Sequence, residues 1–187
     1  DYLIKIIKDK KQQNFQDRFI LFFLSLLELI YFILIKMRNI LYKYNLVKSK
    51  AITPEVISIG NITTGGTGKT PIVEKLARKL KNSGNQVAVL SRGYGGENKK
   101  SQIVKDNMEP EKATVIYGDE AVMLSHHLSE IPLIIGKDRY QSGKKAASEL
   151  NSDIVILDDG FQHRQLAREL DIVIIDALNP WGRGHLI

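Results

Sequence analysis

Hydrophobic and polar positions are arranged in two different ways along this chain. From Phe19 to Ile35 seventeen residues follow one another with only Ser25 and Glu28 polar. Apolar side chains on every side, with no proline or glycine to interrupt them, predict one helix. At 1.5 Å per residue it spans roughly 25 Å, slightly short of the roughly 30 Å hydrocarbon core of a bilayer. From Pro54 onward the pattern becomes short β-branched runs separated by polar stretches of helical length. Val56–Ile59, Gln86–Leu90, Thr114–Tyr117, Leu133–Ile135, Ile154–Leu157 and Ile172–Ile175 predict strands. Most lack polar alternation, as strands covered on both faces do. Pro71–Asn82, Glu120–Leu128 and Tyr140–Leu150 predict the helices between them, with Gly84 placed just past the end of the first. Alternating strands and helices imply an α/β fold, a mostly parallel doubly wound sheet preceded by the apolar N-terminal helix.

Charge sharpens the division. The chain of 187 residues carries a formal net charge of +6, yet residues 1–50 hold 10 basic and 4 acidic side chains while residues 51–187 hold 17 of each. The excess is therefore N-terminal, and the balanced remainder gives no support to nucleic-acid binding. Arg18 lies on one side of the apolar run and Lys36, Arg38, Lys43, Lys48 and Lys50 on the other, with Tyr31, Tyr42 and Tyr44 near the far end. Cations and interfacial aromatics beside an apolar helix suit anionic headgroups. A signal peptide would need a shorter apolar run and a small-residue cleavage site, and a core helix would need complete enclosure. Membrane attachment is the expectation, and Glu28 at mid-segment favours a helix lying in one leaflet or packed on protein over a simple span. The absence of cysteine excludes a disulfide framework, a thiolate metal site and thiol catalysis. With Asp1 first and Ile187 just after Gly182-Arg183-Gly184-His185, the chain is expected to be a fragment.

The polar motifs begin where the predicted strands end. Gly60-Asn61, Ser91-Arg92-Gly93-Tyr94-Gly95-Gly96, Gly118-Asp119-Glu120, Gly136-Lys137-Asp138-Arg139, Asp158-Asp159-Gly160 and Asp176 each follow one. Open α/β sheets bind ligands outside the carboxyl ends of their strands, so these motifs are expected to share one crevice. Thr63-Thr64-Gly65-Gly66-Thr67-Gly68-Lys69-Thr70 has the strand–loop–helix context of a phosphate-binding P-loop, although Thr63 stands where the usual pattern has its first glycine. Backbone N–H groups of such a loop curl around phosphate oxygens. Lys69 would reach the β- and γ-phosphates, and the Thr70 hydroxyl would ligate Mg²⁺. Asp158 and Asp159, at the end of an apolar strand, are the matching oxygen ligands. Asp119 reads either as a general base or as the N-cap of the helix that starts at Glu120. Arg92, Lys137 and Arg139 read either as phosphate ligands or as ordinary surface cations, and His163 as a carboxylate partner or a turn cap.

Taken together, Ser58-Ile59-Gly60-Asn61-Ile62-Thr63 through Pro71, Ser91-Arg92-Gly93-Tyr94-Gly95, Gly118-Asp119-Glu120, Asp138-Arg139, Asp158-Asp159-Gly160-Phe161-Gln162-His163 and Asp171-Ile172-Val173 resemble the tetraacyldisaccharide 4′-kinase (lipid A 4′-kinase) family. The resemblance implies a P-loop NTPase-like kinase on the cytoplasmic face of a bacterial inner membrane. Such a kinase uses ATP and Mg²⁺ to phosphorylate the 4′-hydroxyl of an acylated glucosamine disaccharide 1-phosphate. It assigns ATP binding to Thr63, Thr64, Gly65, Gly66, Thr67, Gly68, Lys69 and Thr70, Mg²⁺ to Thr70, Asp158 and Asp159, and catalysis to Lys69 and Asp119. In the family that aspartate works beside a histidine further along than this chain extends. Residues 1–52 then form a membrane-associating segment that meets an anionic membrane surface, and residues 53–187 the kinase core. The alternative is a membrane-associated P-loop ATPase of the partitioning type, but the lysine such proteins carry before the glycine pair is Thr64 here.

Overall fold

The computed structural model describes residues 14–62, 68–96, 100–104, 108–128, 130–177 and 180. The chain divides into two compact units, one running to Lys48 and the other beginning at Ser49.

The first unit is built on α1 (Phe15–Lys43), a helix of 29 residues. It extends past the apolar run at both ends. The Asn14 backbone N–H donates to Asp17 Oδ2 at 3.0 Å, which closes the first turn. Its large apolar side chains, Phe19, Phe22, Leu27, Phe32 and Leu34 among them, are exposed, and the helix is long and apolar enough to cross a membrane. A helix enclosed in a protein core would have buried them.

Among the described residues, the second unit is a six-stranded sheet with helices on both faces. Its elements are β1 (Glu55–Asn61), α2 (Lys69–Asn82), β2 (Val87–Ser91), β3 (Gln102–Ile103), α3 (Pro110–Tyr117), α4 (Asp119–Leu128), β4 (Leu133–Ile135), α5 (Arg139–Leu150), β5 (Ile154–Asp158) and β6 (Leu170–Ile174). The strand order is β3-β4-β2-β5-β1-β6. All pairings are parallel except that of β3 with β4 at the edge.

Successive side chains on a strand point to opposite faces, and here both faces are covered. Ile59, Val87, Val89, Leu133, Ile135 and Ile156 pack under α2, α3 and α4 with Val73, Ala77, Ala113, Tyr117 and Leu124. Val56, Ala88, Leu90, Ile134, Val155 and Leu157 pack on the other face with Ala146 of α5. Strands that must satisfy two apolar layers cannot alternate with polar residues, which explains the unbroken runs.

One predicted strand is corrected. Thr114–Tyr117 lies in α3, and the two-residue β3 was not expected. Three β-branched residues in a row favour a strand, but Ala113 and Tyr117, four apart, are the buried positions of this segment while Val115 is exposed. That is the period of a helix laid on the core. Pro110 fits the first turn, and the Thr114 hydroxyl bonds back to the Pro110 carbonyl at 2.9 Å, so its β-branch is accommodated. Gly118, at φ +88°, turns the chain from α3 into α4. Asp119 therefore follows a helix, and begins α4 one residue earlier than expected.

Leu90 is fully buried at the centre of the sheet. Leu90→Ala should cost about 2–5 kcal/mol, read as a lower urea midpoint with an unchanged slope.

Candidate active site

The site is assembled at the carboxyl ends of β1, β2, β4 and β5. The central residues Thr63, Thr64, Gly65, Gly66 and Thr67 of the phosphate loop lie outside the described residues. Gly68, at φ +73°, adopts the left-handed conformation that favours glycine and starts α2. Lys69 and Thr70 are the first two residues of that helix, whose opening turn carries no acidic side chain, so its positive dipole end is not neutralised from within. Lys69 Nζ donates to Asn61 Oδ1 at 2.9 Å and pairs with Asp159 Oδ1 at 3.2 Å. The lysine is thus held between the end of β1 and the carboxylates after β5. Thr70 is half-buried one position on.

Asp158 ends β5 and Asp159 begins a turn fastened to β1. Gly160 N–H donates to the Ile59 carbonyl at 3.1 Å. Gly60 lies so close beneath Phe161 that an added Cβ would sit 2.5 Å from the Phe161 Cβ. Asp159 itself has φ +54°, which aims consecutive carboxylates differently. Arg168 closes the turn from outside, donating to the carbonyls of Gly160 at 3.1 Å and Phe161 at 3.0 Å while pairing with Asp171 at 3.3 Å.

The electrostatics show which groups converge. Burial raises the Asp158 carboxyl above the ordinary carboxylate value, and the Asp159 charge adds to that. The Ser91 hydroxyl, donating to Asp158 Oδ2 at 3.2 Å, and the charges of Arg139 and Lys69 work the other way. A desolvated carboxylate repelled by its neighbour is an environment a cation relieves. Two carboxylates and a hydroxyl also suit Mg²⁺, which fills its other positions with water and substrate phosphate. The residues present therefore fit that ion.

Arg139 is buried, with 4% of its surface exposed. Asp138 caps α5 by accepting from the Tyr140 and Gln141 amides, which fixes where the arginine starts. Its Nη1 donates to the Gly136 carbonyl, and its Nε is buried without a hydrogen-bond partner among the described residues. Burial pushes its guanidinium down to about 10, with Asp158 opposing and Arg92 reinforcing the shift. His163 is lowered by burial first and by Arg139 next, and its Nε2 is likewise buried without a partner. Arg139 thus feels the charges of Asp158, Asp159 and Arg92, Asp158 also feels Lys69, and His163 feels Arg139 and Arg92.

Asp119 begins α4 directly after Gly118, not at the expected strand end. Gly118 is pressed against the loop leaving β2, where an added Cβ would meet the Tyr94 carbonyl oxygen. The Asp119 carboxylate accepts the Glu120 N–H at 2.9 Å, which is a turn contact with its neighbour. Lys137 is exposed. Sequence reading assigned no role to Asn61 as the holder of Lys69, to Ser91 as the partner of Asp158 or to Arg168 as the clasp of the turn. Of the three, only Ser91 has a partner distant in sequence.

With this geometry in place, comparison with known proteins is decisive. The family model of tetraacyldisaccharide-1-P 4′-kinase, LpxK, matches residues 20–187. The chain belongs to this family. It is 47% identical over its whole length to a tetraacyldisaccharide 4′-kinase of Halothermothrix orenii, covering 48% of that protein. It is 44% identical over 88% of its length to a namesake from Syntrophus aciditrophicus, covering 44% of it. A crystal structure of LpxK from Aquifex aeolicus in complex with ATP superimposes with a TM-score of 0.73 at 36% identity, covering 80% of this chain and 47% of that one. The fold is therefore the P-loop kinase fold, and the family match displaces the partitioning-ATPase alternative. The chain spans about half the length of the curated relatives it matches.

Two outcomes follow from the geometry. Gly60→Ala should push the carboxylate turn off β1, lowering stability by about 1–3 kcal/mol and weakening Mg²⁺-dependent nucleotide binding in calorimetry. His163 resists its proton in the folded state, so its contribution to stability is present above its ordinary value near 6.5 and is lost as pH falls through the lowered folded value. Urea midpoints taken at about pH 7.5 and about pH 5.5 should therefore fall further for the native chain than for His163→Gln.

Proposed function

We propose that this chain is the nucleotide-binding part of a kinase that transfers the ATP γ-phosphate to the 4′-hydroxyl of a tetraacyldisaccharide 1-phosphate at the cytoplasmic face of a bacterial inner membrane. The observation that carries the reading is Lys69, held between Asn61 and Asp159 at the foot of the phosphate loop, with the Asp158 carboxylate on the adjacent strand. Phosphoryl transfer needs positioning and charge neutralisation more than covalent chemistry, and this cluster offers both.

Thr63–Thr70 hold the nucleotide phosphates, and Lys69 exchanges its carboxylate and amide partners for phosphate oxygens. Thr70, Asp158 and Asp159 hold Mg²⁺, which when bound neutralises charge on the β- and γ-phosphates. Asp119 takes the proton of the attacking 4′-hydroxyl as that oxygen bonds to the γ-phosphorus. The bond from γ-phosphorus to the bridging oxygen breaks, and ADP leaves with the electron pair. Arg139, whose buried Nε has no partner among the described residues, and Arg92 add positive charge near the carboxylates. The exposed apolar surface of α1 and its basic flanks supply the attachment that a lipid acceptor requires.

The test is transfer of labelled phosphate from ATP to purified tetraacyldisaccharide 1-phosphate by this chain extended through the remaining half its relatives possess. Lys69→Ala should lower turnover on the order of a hundredfold or more with an unchanged melting temperature. Asp119→Asn should lower kcat while leaving ATP affinity intact. No transfer by the folded extended protein overturns the reading.

A further inference from the structure

The outer face of α5 carries a feature that phosphoryl transfer does not use. A groove of about 790 Å³ runs along the helix, lined by Ala51, Ile52, Thr53, Tyr140, Lys144 and Ser148 among others, and none of its lining residues is acidic. Two ammonium groups share one aromatic ring at its margin. Lys50 Nζ stands 4.9 Å and Lys144 Nζ 5.8 Å from the centre of the Tyr140 ring. Lys50 is not loosely placed, because its N–H donates to the Gln165 carbonyl at 2.8 Å and its carbonyl accepts from Ala167 N–H at 2.9 Å. Like charges gathered on one ring repel each other, and an anion set against them relieves the repulsion.

The geometry points to this face of α5 as a second membrane contact, docking against the anionic headgroups of a phospholipid leaflet. This rests on the proposed membrane attachment through α1. Three observations select a lipid surface as the occupant. The groove is open along its length, which suits an array of headgroups better than one enclosed small ligand. The segment from Lys50 to Thr53, whose Ala51, Ile52 and Thr53 line it, sets a cation beside aliphatic side chains, as interfacial segments do. Residues 51–187 carry equal numbers of basic and acidic side chains, so attraction to a polyanionic surface must come from a local patch of this kind.

The chain has no cysteine, so single cysteines can report which face meets lipid. The test uses the complete 187-residue chain carrying an environment-sensitive fluorophore at Ser148→Cys on α5 or at Lys79→Cys on α2, across the sheet. It is mixed with vesicles of phosphatidylcholine alone or with phosphatidylglycerol, each containing a nitroxide-headgroup quencher. Quenching on anionic vesicles is expected at position 148 and not at 79. Lys50→Glu with Lys144→Glu, both exposed sites, should weaken partitioning onto anionic vesicles about tenfold or more and leave the weaker binding to neutral ones unchanged. Equal quenching at the two positions, or anionic partitioning unaffected by the double substitution, overturns the α5 contact. A native chain that binds no vesicle overturns the attachment through α1 as well, which separates the two failures.

Discussion

The carboxylate turn after β5 is bonded to the end of β1, and the rest of the site depends on that junction. Gly160 N–H reaches the Ile59 carbonyl, and Gly60 leaves no room for a side chain against Phe161. β1 launches the phosphate loop and β5 delivers the carboxylates, and the two strands are parallel neighbours in register from Glu55 with Ile154 to Ile59 with Asp158. Parallel pairing brings both strand ends to the same edge, and the bond from the turn sets their spacing there. Lys69 can then bridge Asn61 and Asp159 without leaving its helix. A sheet in which another strand separated β1 from β5 would place those groups about 5 Å further apart.

Gathering charges at that edge has an electrostatic cost that the surrounding structure offsets only in part. Asp158 is desolvated beside a second carboxylate, and Arg139 is desolvated beside Arg92. Each is balanced by opposite charge within reach, yet Arg139 Nε and His163 Nε2 remain without partners among the described residues. An unpaired buried donor costs about 1–3 kcal/mol. Such groups persist where a ligand completes them, and a site for a phosphorylated nucleotide supplies both anionic oxygens and a divalent cation.

Much of this was legible in the sequence because the signals were local. The apolar runs of β1, β2, β4, β5 and β6 are strands since each must satisfy two covered faces, and the glycine-rich segment before Lys69 carries its own context. Thr114–Tyr117 failed because intrinsic preference and burial period disagree there, and the buried pair Ala113 and Tyr117 prevails over three β-branched residues. The two-residue β3 is too short to leave a periodic pattern. Arg139 looked like any surface cation, and only tertiary packing buries it. The roles of Asn61, Ser91 and Arg168 depend on partners at sequence separations of 8, 67 and 7–8 residues, of which only the longest is beyond local reach. Of the two shorter ones, that of Arg168 closes a turn whose shape the sequence does not state.

The charge distribution is best understood from what a lipid kinase must recognise. Under the proposed function, nucleotide, magnesium and phosphorylated acceptor would be met by a few groups at one sheet edge, which requires no net charge on the domain, and residues 51–187 carry none. A membrane is different, since its attraction grows with each cation that reaches it. The basic surplus is accordingly confined to residues 1–50, around an exposed apolar helix, and its last member is Lys50 on the Tyr140 ring. Local cations thus separate two recognition problems within one chain. Under the proposed function, those at the carboxyl edge would act on phosphate at short range, and those exposed along α1 and at the margin of α5 on a membrane surface.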